Sequence, residues 1–158
     1  TTDIHALSRQ LHPTVLDDLG LVRAIDSECV RQNSLTQANI LFDGPGVKLE
    51  LPSDVGLTYF RIAQESIRNA IKHGSPESIN VGLELADHHL RLSVHDDGVG
   101  FELINNRPEA HSGLGLISMG ERARLIGANF SMDSTPGEGT EVVVELMLED
   151  DQAFRATP

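Results

Sequence analysis

Apolar positions along the chain predict alternating helices and strands. Ile4, Leu7 and Leu11 recur at helical spacing, so residues 1–11 read as the end of a helix that Pro13 breaks. Residues 16–35 read as a second helix, with Leu19, Val22, Ile25 and Cys29 on one stripe. Ala38 to Phe42 reads as a strand closed by Asp43-Gly44-Pro45-Gly46. A long helix then runs from Pro52-Ser53 to about His73, with Ser53 as N-cap and Gly74 as its stop.

The second half of the chain is mostly strand. Ile79 to Leu85 and Leu90 to Val94 alternate apolar with polar residues across an Asp87-His88-His89 turn. Residues 98–112 have no periodicity and read as a loop. Leu114 to Ile126 reads as a helix. Asn129 to Ser134 and Thr140 to Leu148 read as strands joined by Thr135-Pro136-Gly137-Glu138-Gly139. Hairpin-paired strands with helices between them predict an α+β fold. Its form is a two-layer sandwich, with helices covering one face of a mostly antiparallel sheet. The tail from Glu149 is expected to fray.

Composition narrows the function. A chain of 158 residues suits one domain plus a short attachment. Twelve Lys and Arg against 24 Asp and Glu leave a formal charge of −12, which disfavours non-specific contact with nucleic acid or anionic membrane. An anionic ligand would need a local site that overcomes this field. A single cysteine, Cys29, excludes an internal disulfide and a Cys-paired zinc site, and fits a reducing, cytoplasmic setting. No apolar run reaches the ~18 residues of a membrane span, and no signal peptide opens the chain. The opening Thr1-Thr2-Asp3, without methionine, suggests a piece of a longer protein.

Three local patterns carry candidate chemistry. On the helix over 53–73, Ala63, Ile67, Ala70 and Ile71 fall within about 80° of Phe60 at 100° per residue. Glu65, Asn69 and Lys72 fall on the far side, so a carboxylate, an amide and an ammonium occupy successive turns. Such a face is ordinarily just solvated. However, Asn is a poor helix former, and its carbonyl oxygen suits a hard cation. Asp96-x-Gly98-x-Gly100 follows a strand and puts a carboxylate where glycines allow close approach of backbone. Gly113-Leu114-Gly115-Leu116 opens a helix, whose N-terminal amides favour an anion. It is neither a Walker loop nor a dinucleotide fingerprint. Eight of the 14 glycines lie between Gly98 and Gly139, which concentrates backbone-lined space there.

Taken in order, Glu65-x-x-x-Asn69, Asp96-x-Gly98-x-Gly100, Gly113-x-Gly115-Leu116 and Gly139-Thr140 resemble a known ATP-binding domain. It is the Bergerat-type domain of sensor histidine kinases, type II topoisomerases, Hsp90 chaperones and MutL-type repair proteins, matched over about residues 50–148. Leu11-His12-Pro13 through Gly20-Leu21, Phe60 to Glu65, Lys72-His73 and Gly113 to Arg122 are similar to one kinase subfamily. That subfamily contains the nitrate and nitrite sensors and the membrane-fluidity sensors.

The resemblance implies residues 1–18 as the end of a dimerisation and phosphoacceptor hairpin with its junction. Residues 19–148 would be the catalytic domain and 149–158 a tail. It implies ATP and Mg²⁺ as cofactors, with Asn69 on the metal and Lys72 and His73 near the phosphates. Asp96 would accept from the adenine amine, and Gly98 and Gly100 would let the purine sit close. Residues 101–112 would form a lid. Gly113, Leu114, Gly115 and Leu116 would close on the phosphates, and Thr140 would hold adenine through water. Glu65 is counted with the catalytic residues, its role left open. The implied partners are the hairpin histidine, in cis or in trans, and a response regulator. Nucleic acid and direct membrane contact are not implied.

Two departures stand out. Met119-Gly120-Glu121-Arg122 lacks the arginine the subfamily often carries at the second position. No phosphoacceptor is present, since the one His-Asp pair, His95-Asp96, lies on the strand that feeds the site. The isolated chain would therefore bind ATP without labelling itself. The alternatives are a regulatory ATP-binding module that transfers no phosphate and a serine kinase of the anti-sigma type. The topoisomerase, Hsp90 and MutL branches need a further domain that about ten residues after Leu148 cannot build.

Overall fold

A computed structural model describes residues 13–104, 107–108, 116–149 and 156–157. The expected helix over 1–11 and most of the lid lie outside the described residues. Helix α1 spans Thr14–Leu35, followed by β1 (Asn39–Asp43) and a short β2 (Lys48–Leu49). Helix α2 (Ser53–Asn69) runs straight into a π-helical turn, Ala70–Gly74. Then come β3 (Ser78–Ala86), β4 (His89–Asp96), the two-residue strands β5 (Leu103–Ile104) and β6 (Arg107–Pro108), and α3 (Leu116–Leu125). The chain continues through β7 (Asn129–Thr135), β8 (Gly139–Met147) and β9 (Ala156–Thr157).

The main sheet has the order β1-β3-β4-β8-β7, with β1 parallel to β3 and every other pair antiparallel. Its register builds the core in rows. Val81, Val94 and Val142 face one another, as do Leu83, Leu92 and Val144, and all six are buried. Tyr59, Ile62 and Ile67 of α2, Leu21 and Ile25 of α1, and Met119 and Ala123 of α3 pack in the same cluster. The alternate residues, Asn80, Glu84, Arg91, His95, Glu141 and Asp133, give the sheet a polar second face. This is the helices-on-one-face sandwich that the patterning predicts. Asp87 and His88 both take positive φ, as a two-residue hairpin turn requires.

Several details depart from the sequence reading, including the paired strands β5 and β6 inside the segment read as a loop and the pairing of β9, in the tail expected to fray, with β2. Gly20 has φ 82° and ψ 177°, which splits α1 by a kink. Leu19, expected on the buried stripe, is exposed, while Leu21 and Ala24 are buried. The kink resets the helical phase, so a single stripe drawn through residues 16–35 misplaces its first turn. Ser53 is the first helical residue rather than the cap. Pro52 holds the cap position and makes no side-chain cap bond.

Candidate functional site

A cavity of about 560 Å³, counting its open mouth, lies between α2 with its π turn and the ends of β4 and β8. Its polar lining includes Ser66, Asn69, His73, Asp96 and Thr140, and Val94, Val142, Ala70 and Phe101 supply apolar walls. The mixture of apolar walls with a few convergent polar groups suits a small-molecule site.

Each element places its residues for a physical reason. Asp96 ends β4 directly opposite Thr140 on β8, and Val94 and Val142 follow on the same face by the two-residue period of a strand. On α2 the buried arc centres about 80° round the helix from Phe60, because Tyr59, Ile62 and Ser66 are buried as well. That shift brings Asn69 to the edge of the buried arc, where it is half-buried and lines the cavity. Glu65 and Lys72 stay on the outer side and do not line it. His73 is exposed but reaches the rim from the π turn. Such turns occur often where a helix meets a ligand site.

Asp96 is 5% exposed. Its Oδ1 accepts from the Gly98 amide at 2.9 Å. Burial raises its pKa above the ordinary 3.8, although the Gly98 and Thr140 amides pull the other way. Neighbouring Asp97 is shifted oppositely. It accepts from the amides of Glu77 and Ser78 at 2.8 and 2.9 Å and from the Ser78 hydroxyl at 2.9 Å, and these bonds lower its pKa. The signs separate the two roles. Asp97 contributes stability that is present above 3.8 and lost as pH falls through its depressed value. Asp96, raised, contributes only where it is protonated, and that contribution is lost as pH rises through its folded value. Asp97→Asn is therefore expected to lower the thermal midpoint at pH 7, and Asp96→Asn to leave it equal or higher. Melting curves of both variants between pH 3 and pH 7 check this, and the Asp97 deficit should shrink toward the acid end.

The glycines divide their work. Gly100 lines the cavity with φ 62°, and a Cβ there would run into the Thr135 carbonyl. Gly98 does not line the cavity. The space of its absent side chain is taken by the carbonyl of Gly74, which also accepts from the Val99 amide at 2.8 Å. Gly113, Leu114 and Gly115 lie outside the described residues, and Leu116 is the first residue of α3.

Sequence reasoning did not assign Ser66, Val94 or Val142 to the site, and took Phe101 only as the first residue of the lid rather than as a cavity wall. Two signals were available: Ser66 lies one helical turn before Asn69, and the two valines stand two residues from Asp96 and Thr140. Phe101 had no comparable signal. Among the described residues no three His, Cys, Asp or Glu side chains gather as a metal site, and no helix is long and apolar enough to cross a membrane. The donor set does fit a nucleotide with its cation. The base would find apolar walls and a carboxylate. Mg²⁺, which favours a few oxygen ligands together with phosphates, would find the Asn69 amide oxygen.

The chain is similar to proteins of one family. The chain is 33% identical over 152 residues to an uncharacterized sensor-like histidine kinase of Chloroflexus aurantiacus, covering 93% of this chain and 26% of that protein. It is 30% identical over 148 residues to the oxygen sensor histidine kinase NreB of Staphylococcus carnosus, covering 94% and 42%. The chain thus spans less than half the length of either relative. The histidine kinase domain of the blue-light activated kinase from Erythrobacter litoralis EL346 shares the fold, with a TM-score of 0.65 at 17% identity over 81% of this chain and 61% of that one. The ATP-binding domain of PrrB from Mycobacterium tuberculosis does so with a TM-score of 0.58 at 18% identity, over 80% and 92%. Residues 55–150, which include every residue that lines the cavity, match the sequence profile of one family, and the chain belongs to the histidine kinase-, DNA gyrase B- and HSP90-like ATPase family.

Proposed function

We propose that the chain is the Mg-ATP-binding catalytic part of a two-component sensor histidine kinase. The observation that carries this reading is the buried Asp96 carboxylate at the end of an apolar cavity whose helical wall presents Asn69. Kinase names on relatives that span 93% and 94% of the chain support it. Val94, Val142, Ala70 and Phe101 would hold the purine, and Asp96 and Thr140 would read its edge. Asn69 would hold Mg²⁺, which when bound spreads the charge of the transferring phosphoryl group. His73, exposed at the rim, and Lys72, exposed on the outer side next to it, would reach toward the phosphates and offset charge there. Glu65, half-buried on the outer side of α2 and away from the cavity lining, would act on a partner rather than on the base. Gly113, Leu114, Gly115 and Leu116 would close the phosphate side.

The phosphoryl group would pass to a histidine on the dimerisation hairpin of the longer protein, whose end residues 1–18 would form, and then to an aspartate of a response regulator. The setting is cytoplasmic. The test is phosphoryl transfer from labelled ATP with the hairpin present in cis or in trans. Acid-labile, base-stable label on the hairpin is expected, and Asn69→Ala should reduce its rate at least about a hundredfold if the metal is lost. Nucleotide binding without any histidine label would overturn the kinase reading.

One observation favours a second reading, an ATP-binding module without transfer. A Cβ at Gly120 would meet only Phe130 Cδ1, at an ordinary contact distance of 3.6 Å, so the glycine standing where the subfamily often has arginine is not required by close packing at its Cα. Protection of residues 101–112 from proteolysis by ATP, with no transfer in the longer protein, would select this reading.

A further inference from the structure

One hydroxyl beside the cavity gathers three hydrogen-bonding groups. Ser134, half-buried on β7, accepts from the Phe101 amide at 2.9 Å. It lies 2.8 Å from the Thr140 hydroxyl and 3.2 Å from the Gly139 carbonyl. Phe101 and Thr140 line the cavity, and Ser134 does not.

Counting protons decides which way this group points. A serine hydroxyl has one proton and two lone pairs. With its proton on the Gly139 carbonyl, it accepts from both Phe101 and Thr140, and three bonds form. Turning the proton to Thr140 forfeits the carbonyl bond and leaves one lone pair empty. The saturated arrangement sends the Thr140 proton to Ser134 and leaves the Thr140 lone pairs for the cavity. Asp96, directly across the ladder from Thr140, already offers a carboxylate there. The wall then presents acceptors from both residues. A ligand edge with an exocyclic amine satisfies them directly or through one water, whereas a carbonyl at the same place faces acceptors alone.

We propose that Ser134 is a positioning residue that holds the Thr140 hydroxyl as an acceptor while pinning Phe101, so that one side chain sets both amine-over-carbonyl selection and the start of the loop after the site. The proposal rests on the nucleotide-binding reading above and adds the determinant of base choice.

Calorimetric titration of ATP and GTP into the whole chain, Ser134→Ala and Ser134→Thr tests it. Ser134→Ala should weaken ATP about fivefold to tenfold, the size of one neutral hydrogen bond, and leave GTP within about twofold. Ser134→Thr, which keeps the hydroxyl, should restore the ATP-to-GTP ratio. In the nucleotide-free protein, exchange of the Phe101 amide should quicken about tenfold in Ser134→Ala and stay unchanged in Ser134→Thr. Ser134→Cys keeps the volume and should behave as the alanine variant does. An unchanged nucleotide ratio in Ser134→Ala overturns the proposal even if Phe101 exchange quickens, because general loosening weakens both nucleotides alike. Failure of Ser134→Thr to restore the ratio overturns it too. If the unaltered chain binds neither nucleotide, the function proposed above fails and base selection fails with it. If it binds ATP and only the ratio test fails, the function stands and this role of Ser134 does not.

Discussion

Asp96→Asn is expected to weaken ATP binding about a hundredfold, or about 2.7 kcal/mol, with no loss of fold. The geometry fixes how the substitution acts. The Gly98 amide already donates to Oδ1, so an asparagine there must keep its carbonyl oxygen on Gly98. Its NH₂ then takes the position of the second carboxylate oxygen and points a donor at the amine it should accept from. The loss therefore includes a donor–donor contact in a buried site, on top of the missing bond. The same exchange favours a carbonyl edge, so GTP should lose less affinity than ATP, or gain. Titration calorimetry with both nucleotides reads this directly. The melting curve guards the interpretation, because the variant removes a carboxylate that burial disfavours and should not melt earlier at pH 7. Equal ATP affinity in the two proteins would remove the carboxylate from base recognition.

Why was so much of this legible in one sequence? The strands were legible because one face of an antiparallel sheet is buried. Ile79, Val81 and Leu83 alternate with Asn80, Gly82 and Glu84, and the burial alternates with them. The position of Asp96 was legible because alternation ends β4 there and spaced glycines follow, and it does line the cavity; its role came only from the family resemblance of the ordered motifs. Helix α2 was harder. Its sequence places Phe60, Ala63 and Ile67 on one stripe, but α2 is packed by the sheet and by both other helices. Tyr59, Ile62 and Ser66 are buried as well, and the buried arc is wider and rotated. A wheel drawn on apolar residues alone cannot show that a serine sits inside, with its hydroxyl 3.5 Å from the Met119 sulfur. The kink at Gly20 and the π turn at Ala70–Gly74 were illegible for a related reason. Neither changes the apolar pattern enough to announce itself. Ser134 was read only as the last residue of a strand. Its role depends on Phe101 arriving from 33 residues away, which spacing along the chain does not encode.

Gly139→Ala should lower stability by about 3 kcal/mol and abolish nucleotide binding with it. Gly139 has φ 93°, a region that L side chains rarely adopt. A Cβ there would also collide with the backbone carbonyl of Asp96 and approach Asp97 Cα to 3.1 Å. Neither neighbour can yield cheaply. Asp96 is locked in the ladder between β3 and β8, and Asp97 is held by three hydrogen bonds to Glu77 and Ser78. Relief would have to come from parting β4 and β8 at the end that carries Asp96 and Thr140. Asp96 and Thr140 would then separate before the core opened. For a domain of this size the melting midpoint should fall by about 6–12 °C. Gly137→Ala is the matching control. It has φ 84° in the same hairpin but nothing within 4 Å of its Cβ, so it bears the backbone strain alone. It should cost about 1 kcal/mol and leave ATP binding largely intact. Equal effects of the two substitutions would mean that turn strain, not contact with the Asp96 carbonyl, dominates at Gly139. A larger effect of Gly139→Ala on both melting and binding would show that the hairpin glycine holds the two halves of the site in register.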